Sequence, residues 1–317
     1  MPIADEQASV TPLAGGHGGE TFLAIVGGER TVVRIYGRSW ERRGDGAAEI
    51  DAAVLRLVRG LIPVPDVIEV RRGNADNGLP PLLVTSFVEG TRLDEISPKL
   101  SEKKLRAAAR NLGVILARLA QMPMVSMGPF VDGSLRVGSF GPDTHTLSEH
   151  VDAKLERASA LRTWPASDIE ALRGYALYCQ GLLSDVMRRT LVHGDFNPKN
   201  LLVDPRTLDV VAVVDWEFAH AGLPLADLGN LLRLSASNLG KVAQVFDETV
   251  LRTYAELVPD AWAGKGKSGG VDRLYEKARA ADLPALVDLA SRRDMNPAAK
   301  SAHDLLLEHV RAFRLRN

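Results

Sequence analysis

Cysteine is nearly missing from this sequence. Cys179 is the only one in 317 residues, which excludes an internal disulfide framework and a cysteine-built zinc site and fits a reducing, cytoplasmic setting. Net charge is equally scarce. Lys and Arg total 39 against 40 Asp and Glu, leaving −1, so the chain has no general attraction for phosphate backbones or anionic membranes, and neither nucleic acid nor membrane is an expected partner. Long apolar runs are absent too: nothing approaches the ~20 residues that span a bilayer. The opening Met1-Pro2-Ile3-Ala4-Asp5-Glu6 has neither the basic start nor the apolar core of a secretion signal. A soluble chain is expected, without internal repeats or coiled-coil heptads.

The pattern that is present changes character near residue 90. Phe22 to Val26 and Thr31 to Tyr36, separated by Gly27-Gly28, read as a β-hairpin. Ala47 to Arg59 then carries Ile50, Ala53, Val54, Leu57 and Val58 at helical spacing and is closed off by Pro63 and Pro65. Two further strands, near Val67 to Val70 and Leu82 to Val88, flank a turn-rich stretch from Gly73 to Gly78. Beyond Ser101, the stripe Leu105, Ala109, Leu112, Leu116 and Leu119 marks a long helix ended by Pro123. Another helix is expected from about Asp168 to Arg189. Leu201 to Val203 and Val210 to Val214, joined by Asp204-Pro205-Arg206-Thr207, read as a second hairpin, and the remainder from Leu225 is mostly helical. The expected architecture is α+β and bilobal: a small antiparallel sheet with one helix over residues 1–90, then a larger, mainly helical lobe over 91–317.

Chemistry concentrates in His193-Gly194-Asp195-Phe196-Asn197-Pro198-Lys199-Asn200, followed by Asp215-Trp216-Glu217 after the second hairpin. Asp195 follows a short strand, Asn200 lies one loop-width on, and the hairpin returns Asp215 to the same edge, so three oxygen-bearing side chains converge. Phosphoryl transfer asks for that set: a carboxylate for the attacking hydroxyl and hard oxygen ligands for a magnesium ion on the phosphates. Asp, Asn, Gly and Pro are also ordinary turn residues, and the octet alone would not exclude that reading. In the N-terminal part, the glycines of Gly15-Gly16-His17-Gly18-Gly19 would let backbone N–H groups approach a nucleotide's phosphates. Gly16 and Gly18 begin a Gly-x-Gly-x-x-Gly pattern whose third glycine is replaced by Thr21.

His193, Gly194, Asp195, Asn200 and Asp215 together resemble the signature of the aminoglycoside phosphotransferase and choline kinase-like branch of the protein kinase-like fold. The resemblance implies a small-molecule kinase in which Asp195 accepts or orients the substrate hydroxyl proton while Asn200 and Asp215 bind Mg2+. It makes His193 a brace for the metal-binding loop and Asp227 a buried aspartate that hydrogen-bonds the catalytic loop. Arg34 stands where kinases carry a lysine that reaches the phosphates. Glu49 is its expected partner in the following helix, with Asp51 as the substitute. Backbone groups from Ser86 to Val88, in a hinge near 85–90, would meet the purine edge of ATP or GTP, a contact that does not distinguish the two nucleotides.

Several departures narrow the reading. Arginine keeps the charge of the kinase lysine but differs from it in reach and geometry. Asp215-Trp216-Glu217 is not Asp-Phe-Gly and no activation segment follows, which argues against a protein substrate. Gly266-Lys267-Ser268 looks like the end of a Walker loop, but Ala261 stands at its first glycine position and no strand precedes it, so the segment reads as a loop or lid. Lys199 either reaches the transferred phosphate or points to solvent. The expected acceptor is the hydroxyl of an aminoglycoside-like antibiotic or related metabolite. The alternatives are an amino alcohol, sugar or amino acid kinase, or a non-catalytic nucleotide sensor. The region around Trp262 and the helices from Val271 to Arg314 would set the choice, yet their acids are mixed with Arg273, Lys277, Arg279 and Arg292 and form no clean anionic pocket.

Overall fold

A computed structural model of the chain describes residues 8–13, 19–37, 43–141, 146–157, 159–233, 235–259 and 270–316. Its N-terminal part is a five-stranded antiparallel sheet in the order β1-β2-β3-β5-β4, built from β1 (Ser9–Pro12), β2 (Glu20–Val26), β3 (Glu29–Ile35), β4 (Val67–Arg71) and β5 (Leu82–Ser86). β2 and β3 meet through a two-residue turn in which Gly27 and Gly28 both have positive φ, the backbone that matches the twist of paired strands. β1 was not expected: it pairs along the outer edge of β2 and stays largely exposed. The expected helix is α1 (Ala47–Val58), which buries Ile50, Val54, Leu55 and Val58 against β4 and β5.

From β5 the chain runs directly into β6 (Thr91–Arg92), whose partner is β9 (Leu201–Val203), with Thr91 opposite Val203. The strand that leaves the sheet is therefore hydrogen-bonded to the hairpin that follows the His193–Asn200 octet. Next come α2 (Glu102–Leu119), β7 (Gly128–Pro129), α3 (Leu147–Glu156) and α4 (Ala166–Leu182). Ser101 caps α2 by accepting a hydrogen bond from the Lys104 N–H, and its apolar stripe buries Leu105, Leu112 and Leu116. α4 stops seven residues before the expected Arg189. Leu183 and Val186, within the expected span but beyond the end of α4, are buried in a turn.

β8 (Thr190–Val192) pairs with β11 (His220–Gly222), which also pairs with β7, and β9 pairs with β10 (Val210–Val213) as the expected hairpin. The chain closes with α5 (Ala226–Leu232), α6 (Ala243–Leu257), α7 (Gly270–Ala290) and α8 (Pro297–Arg316). α6 packs along α2, and α5 lies against α7. That second contact is close: a Cβ at Gly229 would stand 2.1 Å from the Ala278 carbonyl oxygen. Gly266, Lys267, Ser268 and Trp262 lie outside the described residues. No helix among the described residues is long and apolar enough to cross a membrane.

Asp247, on α6, gives the fold a pH dependence. Burial pushes its carboxyl up to about 7. Ser235 Oγ stands 2.8 Å from Asp247 Oδ2 and 3.0 Å from the Leu232 carbonyl. The Ser235 hydroxyl donates to the carboxylate, which partly opposes the rise that burial causes. The folded-state pKa is raised, so the unfolded chain loses the Asp247 proton near pH 4 while the folded chain keeps it until about 7, and stability falls across that window as pH rises. Asp247→Asn should remove the loss, giving a gain on the order of 1 kcal/mol at pH 8 in urea unfolding after allowance for partial exposure. An unchanged pH–stability slope in the variant would place the proton elsewhere.

Candidate active site

The loop after β8 is fixed by a carboxylate beneath it. Asp227, at the start of α5, is buried and accepts the backbone N–H of His193 at 2.7 Å and of Gly194 at 2.9 Å. Burial raises this carboxyl, and the two N–H donors and His193 oppose the rise. Gly194 has φ +81°, and a Cβ there would lie 2.4 Å from the Phe218 carbonyl oxygen. Only glycine passes this point without strain.

His193 is fully buried and joins the loop to the hairpin. Its Nδ1 accepts the Asp195 N–H at 3.2 Å, so the ring proton sits on Nε2 and is donated to the Val214 carbonyl at 3.0 Å. The Trp216 ring packs 4.5 Å from the His193 ring, centroid to centroid. Val214 N–H in turn donates to the Asn200 carbonyl at 2.9 Å. These bonds hold Asp215 beside Asn200.

The Asp195 carboxylate is oriented by two amides. Asn197 Nδ2 donates to Oδ1 at 2.8 Å and Asn200 Nδ2 to Oδ2 at 2.9 Å. Asn200 Nδ2 also reaches the Asp195 backbone oxygen at 2.9 Å, which fixes the amide so that its Oδ1 is the end available to a cation. Asp215 has φ +64°, a conformation uncommon outside glycine and frequent where function demands it. Lys199 is exposed on the loop surface.

Arg34 comes down from β3 onto this cluster, with Nη1 2.6 Å from Asp215 Oδ1 and Nη2 3.2 Å from Glu217 Oε2. Burial works against its charge, but Asp215 foremost, with Tyr36, Glu217 and Asp51, holds the guanidinium pKa above its ordinary value. The side chain of Glu217 is 3% exposed. The expected Arg34–Glu49 pair does not form. Glu49 pairs with Arg72 at the surface, while Asp51 is buried against the Tyr36 hydroxyl at 2.6 Å and against Arg43. In the sequence, Glu217 stands out only as a departure from Asp-Phe-Gly, with nothing to mark it as the partner of Arg34. Its buried ion pair with Arg34 links residues 183 positions apart, and local pattern does not report on such a distance.

At the hinge, one backbone donor is already engaged. The Ser86 N–H donates to the Asp66 carbonyl at 2.8 Å, and Ser86 Oγ accepts the Asp66 N–H at 2.9 Å. The bond to Asp66 occupies that N–H, so a purine contact at Ser86 would fall to its carbonyl. The Phe87 N–H reaches the Arg30 carbonyl at 3.3 Å, whereas the Val88 N–H meets no backbone acceptor among the described residues. Gly16 and Gly18 lie outside the described residues.

Among solved structures, the chain superposes on the GDP complex of aminoglycoside 2'-phosphotransferase-IIIa with a TM-score of 0.66 at 18% identity, covering 98% of this chain and 95% of that one. A ternary complex of a thermostable mutant of aminoglycoside phosphotransferase APH(4)-Ia with AMP-PNP and hygromycin B gives 0.64 at 19% identity, covering 96% and 95%. Both likenesses are of fold. Curated relatives match over shorter spans. Acyl-CoA dehydrogenase family member 10 of Mus musculus is 26% identical over 172 residues, 54% of this chain and 15% of its own length. Family member 11 of the same species is 33% identical over 100 residues, 31% of this chain and 12% of its own. This chain therefore spans only a small part of either dehydrogenase-named protein. The model of the phosphotransferase enzyme family matches residues 9–264, and with the bilobal kinase-like fold and the His193–Asp215 loop system in place, the chain belongs to that family.

Proposed function

We propose that the chain transfers the γ-phosphate of ATP or GTP to a hydroxyl of a small molecule, with Asp195 as the residue that receives the hydroxyl proton. The observation that carries this reading is the Asp195 carboxylate, held by the Asn197 and Asn200 amides at 2.8 and 2.9 Å on a loop braced by Asp227. Both amides donate to it, so the anion is oriented before any acceptor arrives, and positioning is most of what phosphoryl transfer asks of a protein.

Asn200 and Asp215 are the proposed magnesium ligands. Asn200 Oδ1 and Asp215 Oδ2 are hard oxygen donors, and no cluster of three or more His, Cys, Asp or Glu among the described residues could cage a metal. Mg2+ suits such a site because it takes few protein ligands and fills its shell with phosphate oxygens and water. When bound it would draw charge off the phosphates. Arg34 supports the nucleotide assignment: its Nε is buried with no hydrogen-bond acceptor among the described residues, a donor that a phosphate oxygen would satisfy. Val88 would meet the purine from the hinge, and Gly16 and Gly18 would approach the phosphates. The lobes would divide near 85–90, with residues 1–90 serving the nucleotide and 91–317 serving catalysis and the acceptor, in a cytoplasmic enzyme.

The acceptor we propose is an aminoglycoside-like antibiotic or a related metabolite, with an amino alcohol, sugar or amino acid as the alternative within the same chemistry. ADP or GDP release measured with magnesium across aminoglycosides, other hydroxylated antibiotics, choline-like amines and sugars should show acceptor-dependent turnover. Nucleotide binding with no turnover on any acceptor would favour the sensor instead. Failure to bind nucleotide at all would remove the reading.

A further inference from the structure

The Arg34 guanidinium bridges Asp215 and Glu217 across the cleft, and one of those two carboxylates is the proposed metal ligand. At 2.6 Å from Arg34 Nη1, Asp215 Oδ1 is fully engaged by a cation of the protein itself. This pairing leaves Arg34 Nε buried without a hydrogen bond among the described residues, and Nη2, within ion-pair distance of Glu217, makes no hydrogen bond there either. The Arg34 side chain is 15% exposed and Glu217's 3%, so the pair is screened little by solvent. Tyr36 adds a second restraint, its ring 5.3 Å from the guanidinium carbon and its hydroxyl tied to Asp51.

We propose that Arg34 is an exchangeable counter-cation of the metal site, positioned by Glu217 rather than by an acid on α1. Before metal and nucleotide bind, it neutralises Asp215. When metal and nucleotide bind, the guanidinium gives up Asp215 to the metal and turns its Nε and Nη1 donors to phosphate, while Glu217 remains its anchor. Two carboxylates make this possible, because the arginine changes one partner while keeping the other, and its planar fork can hold both at once. Loading therefore adds cation and polyanion together, and neither Asp215 nor Arg34 is left buried and unpaired at the end. This inference rests on the assignment of Asp215 as a metal ligand.

The test uses Mn2+ as the metal probe, read by electron paramagnetic resonance on the intact chain, without nucleotide and then with ADP. Arg34→Ala should bind Mn2+ without nucleotide about tenfold more tightly than wild type, because the competing cation is gone. Arg34→Lys, which keeps the charge and protects the fold but has no planar fork to span two carboxylates, should tighten Mn2+ less than Arg34→Ala. Glu217→Gln should weaken ADP binding about tenfold, and its effect should vanish in the Arg34→Ala background, whereas Glu49→Gln should change neither affinity. Unchanged Mn2+ affinity in both Arg34 variants would overturn the exchange, as would a Glu217→Gln effect that persists without Arg34. Asp215→Ala separates the two assignments. If it leaves Mn2+ binding intact, the metal-ligand reading falls and the exchange with it; if it abolishes binding while the Arg34 variants behave as wild type, the exchange alone falls.

Discussion

Asp195→Asn should lower kcat by about a thousandfold, within the range by which a positioned general base accelerates proton transfer, while nucleotide affinity stays within a factor of about three. The asymmetry follows from the hydrogen bonds. Asp195 receives Asn197 and Asn200 at separate oxygens, so an amide at 195 meets two amide donors with only one oxygen and turns an NH2 toward the other. The loop itself is held by Asp227 on the His193 and Gly194 N–H groups, contacts that the substitution does not touch. Thermal stabilisation by nucleotide and magnesium should therefore survive when turnover is lost. A variant that kept more than about a tenth of wild-type kcat would take the proton-accepting role away from Asp195.

The second large effect is on stability. Asp282→Leu should destabilise the chain by about 3–5 kcal/mol in urea unfolding, the usual cost of stranding one member of a buried ion pair. Arg233, at the end of α5, reaches both Asp282 oxygens, with its Nε 2.6 Å from Oδ2, and the two side chains are only 9% and 6% exposed. Burial raises the Asp282 carboxyl and Arg233 opposes the rise. Removing the carboxylate leaves a buried guanidinium that stays charged without its partner. Arg233→Met with Asp282→Leu should recover most of the loss, since neither charge then needs a partner. A single substitution costing under about 1 kcal/mol would mean that the pair is hydrated in solution.

How much of this could be read beforehand depends on how far apart the interacting residues lie in sequence. The loop from His193 to Asn200 was legible because its chemistry is contiguous and its spacing is constrained by a single turn. The hairpin from Leu201 to Val213 carried the same information in its strand pattern, and it delivers Asp215 beside Asn200 through the Val214 N–H. The cation's partner was not legible. α1 offers two acids, Glu49 and Asp51, and nothing local says that Arg72 takes the first and Tyr36 the second, or that Arg34 turns instead to Glu217. Helix length failed for a different reason. Leu183 and Val186 continue the apolar spacing of α4 because they are buried, and burial in a turn demands the same residue types as burial in a helix. β1 is a short exposed edge with a proline in it, which gives no period-two signal at all. Ser86 shows the limit at the hinge: a strand ending in Ser looks the same whether its last N–H faces a ligand or, as here, Asp66.

The one thiol has a consequence of its own. Cys179 lies on α4, 1% exposed, and burial pushes its pKa up to about 12. Only a thiolate reacts readily with peroxide, disulfide or electrophile, and at neutral pH this sulfur is neither ionised nor reachable in the folded chain. The folded chain is therefore insulated from thiol–disulfide exchange: a shift in that balance that would modify an exposed low-pKa cysteine passes this one by.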